Sequence, residues 1–257
     1  MTLFYGKFAD TLKEVEHRPY SVVSDSPWIM NQVWANLLFA HWSVDVELMR
    51  KLVPSELELD LFEGKAYLGV VPFEMREVSP RFVPSMPWIS WFPELNVRTY
   101  VRHKGRAGVY FFSLDAGNPL AVYLACQLYH LPYYNADMCC KQQGEKFVYT
   151  SKRKKSSTTA GNGNFQLDVT YWPCGPVYLS QPGTLDSFLT ERYCLFTTHD
   201  GNVYCGQIHH KPWPLRPAQA EWRVNTMAGP LGFELQGEPL LHFVDKIETV
   251  EWAIART

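Results

Sequence analysis

The stretch FPELNVRTYV, residues 92–101, puts three polar side chains of different chemistry in one row. Glu94, Asn96 and Arg98 alternate with Leu95, Val97 and Thr99, and a period of two sends successive strand residues to opposite faces. The row supplies a carboxylate acceptor, an amide, and a guanidinium that can grip a polar ligand through two parallel bonds. Glu94 and Arg98 lie about 13 Å apart along such a strand at ~3.3 Å per residue, with Asn96 between them, so they meet only if their side chains lean together. In a pocket they would flank a polar ligand. The same pattern also suits a solvated strand face, and the residues alone leave both readings open.

Other candidates are sparser. Tyr133 and Tyr134, in LPYYNADM, can donate hydrogen bonds to a ligand or act as general acids if a phenol pKa is lowered. They can equally be packed aromatics. His41, His209 and His210 are the histidines considered for a site, and at most one of the adjacent pair faces inward. His41 or His210 can hydrogen-bond a ligand, or be structural. A zinc site needs three convergent ligands, and no H-E-x-x-H or closely spaced ligand pair occurs, so no metal is expected. There is no G-x-S-x-G elbow, P-loop or G-x-G-x-x-G, so neither a serine triad nor a nucleotide cofactor is implied, and no cofactor is expected. Glu191 and Arg192, in LTERY, read as a structural pair at a helix end, with cavity lining as the alternative.

The elements that must hold these groups are mostly strands. The row continues through Lys104-Gly105-Arg106 as a turn, then a second strand over Val109 to Leu114, apolar on both faces. Asn118-Pro119 starts a helix running to about His130, and Pro132 ends it. Upstream, Gln32 to Trp42 reads as a strand, Ser43 as the cap of a helix ending at Pro54, and Glu63-Gly64 as the turn before a strand over Tyr67 to Phe73. Downstream come strands over Lys141 to Thr150 and Asn164 to Trp172, a helix capped by Thr184, and a hairpin around Asp200-Gly201. Leu240 to Val244 and Thr249 to Ala255 close the chain as β-like runs. Residues 79–93 hold four prolines among aromatics and read as a packed loop covering or lining a cavity. Residues 1–30 read as an N-terminal arm with a short helix over Phe8 to Glu16, and 31–257 as a single domain. The fold class is mainly β, a β-rich α+β chain with a few short helices.

Composition narrows the function classes. Fifteen Phe, fourteen Tyr and nine Trp suit half-buried pleated surfaces. The formal charge of −2 gives no long-range pull toward nucleic acid or acidic membranes. The cationic run Lys152 to Lys155 lacks interleaved aromatics and reads as a solvated hairpin tip, not a nucleic-acid contact. No apolar leader is visible at the N-terminus, and no run approaches the ~18 apolar residues that span a bilayer. Six cysteines without a C-x-x-C pair read as reduced thiols of a cytoplasmic protein.

Several ordered segments carry a resemblance. LLFAHWSV, MRKLVP, GVVPFEM, FPELNVRTYV, GVYFFSLDA, LPYYNADM, LTERYCLF, IHHKPWPL and PLLHF resemble the YqjF-like family of uncharacterised bacterial proteins, from about Trp34 to Trp252. More distantly, the chain is similar to acetoacetate decarboxylases. MRKLVP at 49–54 matches the end of their helix, Phe92-Pro93-Glu94 their Tyr-x-Glu strand, and Leu131-Pro132-Tyr133-Tyr134 their Pro-Lys-Lys corner. That resemblance implies an antiparallel β cone or barrel around a small-molecule pocket, with Glu94 inside. It also exposes a departure. Those decarboxylases form a Schiff base through a lysine whose pKa an adjacent lysine depresses. Tyr133 and Tyr134 stand at both positions here, and a phenol makes no imine. The family's other pocket glutamate falls on Gly69 and its arginine near Gln32.

The expectation is therefore a pocket lined by aromatics with Glu94, Arg98, Tyr133, Tyr134, His41 and His210, binding a small polar organic or aromatic compound. An acid–base enzyme (lyase, hydrolase or isomerase) acting on a keto or aromatic acid is one alternative, and a non-catalytic interaction protein another. The partner expected is a small molecule, with no nucleic acid or membrane, and oligomeric state stays open.

Overall fold

A computed structural model describes residues 11–21, 26–86, 90–154 and 164–257. In chain order the elements begin with β1 (Met30–Val44), α1 (Val46–Leu52), β2 (Glu58–Leu59), β3 (Ala66–Pro80), β4 (Phe92–His103) and β5 (Arg106–Ala116). They continue with α2 (Pro119–Tyr129), β6 (Tyr133–Gln143), β7 (Lys146–Arg153), β8 (Gln166–Pro173) and α3 (Leu185–Thr190). The last are β9 (Cys194–His199), β10 (Asn202–His210), β11 (Arg216–Asn225), β12 (Leu240–Glu251) and β13 (Ala255–Arg256).

Five strands form a shared wall in the order β5-β4-β3-β1-β12. From this wall β6, β7, β8 and β11 close a nine-stranded barrel. A second circuit leaves the same wall and returns through β9 and β10. The antiparallel expectation holds at most pairings, but β5 runs parallel to both β6 and β9. The α2 crossover between β5 and β6 makes the first of these possible, since parallel neighbours need a long connection.

Both faces of the wall are covered, which explains why Val109 to Leu114 of β5 and Tyr67 to Phe73 of β3 read as apolar runs. Leu95, Val97 and Val101 of β4 pack with Leu38 and Ala40 of β1, Val70 of β3 and Tyr149 of β7 in one dry core. The opposite faces contribute Leu37, Phe39, Val71, Phe73 and Met75 to a second cluster around Trp213. Glu94, Asn96 and Arg98 belong to this second side. The β4–β5 register shifts between Val97 and Arg98.

Local signals mostly act as expected. Asn118 Oδ1 accepts from the Leu120 and Ala121 amides, with Pro119 in the first turn of α2. Thr184 caps α3. The cap of α1 is Asp45, whose Oδ1 accepts from Leu48 N at 2.7 Å, and not Ser43. Ser43 still pairs with Tyr67, because β1 runs past it. The strand expected from Lys141 is the end of β6, which turns at Gly144 into β7. The two C-terminal runs are one strand, β12.

Residues 1–10, and with them the start of the expected Phe8–Glu16 helix, lie outside the described residues. Leu12 to Tyr20 are turns and irregular chain. They are tied to β10: Arg18 Nη1 donates to Ile208 O at 2.8 Å and to His209 Nδ1 at 3.0 Å, and His209 Nε2 donates to Thr11 O at 2.7 Å. Lys155 lies outside the described residues too. Of the rest of its cationic run, Lys152 pairs with Gln166 in the sheet. Arg153 turns inward to Asp115, with Nη2 2.6 Å from Oδ1. No described helix is long and apolar enough to cross a membrane.

Candidate functional site

The polar row of β4 opens into a cavity of about 110 Å³ on the second side of the wall. That is below the ~300–1,000 Å³ of sites for drug-sized ligands, so it suits a compact molecule. Its walls are Trp34, Leu37 and Phe39 of β1, Val71, Phe73 and Met75 of β3, Val109, Phe111 and Leu114 of β5, and Trp213. Apolar strand faces thus surround a few polar groups.

One group of these is acidic and phenolic. Glu94 is buried, and Tyr133 Oη donates to its Oε2 at 3.2 Å. Burial pushes the Glu94 carboxyl up to about 8; the phenol's hydrogen bond opposes the rise, and the charges of Glu251 and Asp115 add to it. Glu251, at the end of β12, lines the same cavity, and burial lifts its carboxyl to about 7. Tyr129 from the last turn of α2 joins them. Burial and the neighbouring carboxylates hold the Tyr133 phenol well above its ordinary range, so it is a donor at neutral pH.

Arginines form the other group. Arg98 is buried with its guanidinium carbon 5.1 Å from the Phe39 ring centre, and Nη2 donates to Leu189 O at 3.2 Å. Among the described residues its Nε has no partner, and neither does Asn96 Oδ1. Arg192 also lines the cavity, but its charge is already matched: Nη1 meets Asp60 Oδ2 at 2.6 Å, and Nε donates to Phe188 O at 2.6 Å. Arg98 therefore is the lining cation without a carboxylate partner among the described residues.

Of the residues singled out from sequence, the cavity brings together Glu94, Arg98 and Tyr133. Tyr134 is not among its lining residues. It follows Tyr133 on β6 and so takes the other face, where the Arg153 guanidinium carbon lies 4.0 Å from its ring centre. His41 stands behind the lining instead of in it. Its ring stacks on Phe39, and its Nε2 lies 2.7 Å from Tyr100 Oη. That phenol donates to Leu189 O at 2.8 Å, which assigns the Nε2–H tautomer to His41. Burial, with Arg98 nearby, holds this imidazole neutral, well below its ordinary value. His210 is also behind the lining. It stacks on Tyr193 at 4.6 Å, donates from Nδ1 to Lys211 O at 2.7 Å, and burial lowers its pKa to about 3. Both histidines thus pack against lining residues, His41 on Phe39 and His210 on Trp213 at 4.8 Å.

Sequence reasoning missed Glu251, and the expected Glu191–Arg192 pair is replaced: Arg192 pairs with Asp60 and takes the alternative role of lining the cavity, while Glu191 Oε1 accepts from Trp213 N at 3.1 Å. Nothing local marks Glu251; it reaches the cavity because β12 pairs Glu251 with Met30 of β1. Residues 87–89 of the proline-aromatic loop lie outside the described residues. Among its described residues none lines the cavity, and Phe82 and Trp91 are 67% and 53% exposed. Among the described lining residues there is no lysine, and no group of three or more His, Cys, Asp or Glu able to hold a metal occurs among the described residues. Cys139, Cys140, Cys174, Cys194 and Cys205 are free thiols.

This barrel is that of the acetoacetate decarboxylase-like structures. The acetoacetate decarboxylase of Legionella pneumophila superimposes with a TM-score of 0.56 at 14% identity, covering 94% of each chain. The enduracididine biosynthesis enzyme MppR, complexed with pyruvate, gives a TM-score of 0.59 at 10% identity over 93% of each chain. Within that architecture the chain belongs to the DUF2071 family, described as an uncharacterized conserved protein and matched over residues 31–248. It is 43% identical over 235 residues to the uncharacterized protein YqjF of Bacillus subtilis (strain 168), covering 91% of this chain and 95% of that one.

Proposed function

We propose that the cavity binds a small polar organic or aromatic compound, and that no imine forms there. The observation that carries the reading is the Glu94–Asn96–Arg98 row: a buried carboxyl that desolvation pushes toward its neutral form, and an amide oxygen and an arginine Nε without partners among the described residues, all walled by apolar side chains. Arg98 would take an anionic head group by charge-assisted hydrogen bonding, and Glu94 with Tyr133 would meet a carbonyl or hydroxyl at the other end. The small volume limits the ligand to a compact keto or aromatic acid. Support also comes from the fold, since MppR holds pyruvate on the same architecture.

A calorimetric and thermal-shift panel of keto acids, aromatic acids and phenols tests it. Saturable binding that is lost in both Arg98→Met and Glu94→Gln is expected. Binding indifferent to both substitutions refutes the site. Borohydride reduction in the presence of acetoacetate should leave no adduct, and a covalent adduct on any lysine overturns the exclusion of imine chemistry.

Glu94 favours a second reading. A carboxyl that titrates near 8 is protonated at neutral pH and fit to act as a general acid, so acid–base chemistry on the bound acid is the enzymatic alternative. Exchange of a keto acid's α-protons for deuterium, followed by NMR and abolished in Glu94→Gln, would mark it. The exposed Phe82, Val83, Met86 and Trp91 favour the interaction-protein reading, which predicts a panel without hits.

A further inference from the structure

A second hollow lies apart from the cavity and shares no lining residue with it. It is formed by the β4–β5 turn, Phe196 of β9, Cys205 and Gln207 of β10, and the chain from Trp252 to Thr257, and its volume is about 380 Å³. Three cations rim it: Lys104 and Arg106 from the turn and Arg256 from β13. Among the described residues none of its lining side chains is acidic and no ion pair engages these three; the carboxylate of Thr257 also lines it, so three cations face one anion. In a chain whose formal charge is −2, such a grouping is a local reversal of sign. Phe196 and Trp252, both buried, give it an apolar floor. His103 adds a polar edge: its Nδ1 is 3.1 Å from Glu56 O, and its Nε2 has no protein partner.

We propose that this hollow is a second ligand site, specific for an organic anion that carries a phosphate or carboxylate head on a flat apolar body. The cations select the head, because unpaired lysine and arginine donors around a shared concavity favour a phosphate or carboxylate. The aromatic floor selects the body, and the volume falls within the ~300–1,000 Å³ range of small-molecule sites, too roomy for a bare inorganic ion alone. The turn geometry fixes the rim. Gly105 has φ +78°, so the hairpin reverses tightly and presents Lys104 and Arg106 on either side of it. β13 brings Arg256 in by pairing with Tyr204 of β10.

Calorimetric titration of the full chain with phenyl phosphate, benzoate and inorganic phosphate tests the proposal. Phenyl phosphate or benzoate should saturate, about tenfold or more tighter than inorganic phosphate, with affinity falling as salt is raised. The double variant Lys104→Ala/Arg256→Ala should weaken binding at least tenfold, and Arg106→Ala should do so separately. Arg98→Met removes acid binding in the other cavity, and the binding at this hollow should remain in that variant with the same affinity. All three cations are at least partly exposed, so the fold does not depend on them. No saturable binding, equal affinity for inorganic phosphate, or loss in Arg98→Met but not in the rim variants overturns the site.

Discussion

Replacing Glu94 by glutamine gives the sharpest test of how the polar row is held. The Glu94 carboxyl moves from its ordinary 4.5 to about 8 on folding, chiefly through burial. At ~1.4 kcal/mol per pH unit, that difference is roughly 5 kcal/mol. The folded chain holds this proton more tightly than the unfolded chain does. The stability linked to it is therefore fully present below pH 4.5 and is lost as the pH rises through about 8. Water entering the cavity around an ionised carboxylate lowers the cost, so a loss of about 2–5 kcal/mol is expected. Glutamine has nearly the same shape, can still accept from Tyr133, and never ionises. Glu94→Gln should thus gain on the wild type as pH rises from 5 to 8. A chain of this size shifts Tm by ~2–4 °C per kcal/mol, so the gap between the two melting curves should widen by roughly 5–15 °C. Calorimetric melts at half-unit intervals from pH 5 to 9 measure it. Any cost of burying the new amide is an offset independent of pH. The titration of Glu251, which burial also raises, is common to both chains and drops out of the difference to first order. A gap that stays constant across the series would mean that Glu94 ionises as freely folded as unfolded, and the account of the row would fail.

Two further substitutions probe the supports of the site. In Gly69→Ala the new methyl would stand 3.1–3.2 Å from the His41 ring and 3.3 Å from Arg98 Cγ, so one of them must move. A loss of about 1–3 kcal/mol is expected in urea unfolding, together with weaker binding of any acid held by Arg98. Asp60→Asn removes the counter-charge of Arg192, whose side chain is only 5% exposed. Leaving that guanidinium buried and unmatched should cost about 3–5 kcal/mol by the same assay, and a change within 1 kcal/mol would show that solvent takes over the pairing.

Much of the frame was legible because local chemistry decides it. Asn118-Pro119 caps a helix wherever it is placed, and Lys104-Gly105 and Asp200-Gly201 turn the chain through residues at positive φ. The alternation of β4 assigned Glu94, Asn96 and Arg98 to one face and Leu95 and Val97 to the other, as observed. What alternation cannot say is which of two buried faces meets a hollow. That depends on strands far away in sequence, and it is why Glu251 went unnoticed. The fate of Tyr133 and Tyr134 rested on a similar detail. Read as a corner, both could point inward; as the first two residues of β6, they cannot.

The two faces of the shared wall also explain why groups that disfavour folding are tolerated here. Leu38, Val70, Leu95, Val97 and Tyr149 pack a continuous dry core, and the transfer of such side chains from water, at ~25 cal/mol per Å², is what drives a barrel of this kind to close. The other face need only avoid undoing that gain. It can carry a carboxyl driven toward neutrality and an arginine Nε and amide oxygen without protein partners, each of which lowers stability. Gly69 illustrates the division. The His41 ring, locked to Tyr100, and Arg98 Cγ occupy the space that any side chain at that position would need. A search for what this chain does should therefore follow the groups that the fold would be more stable without.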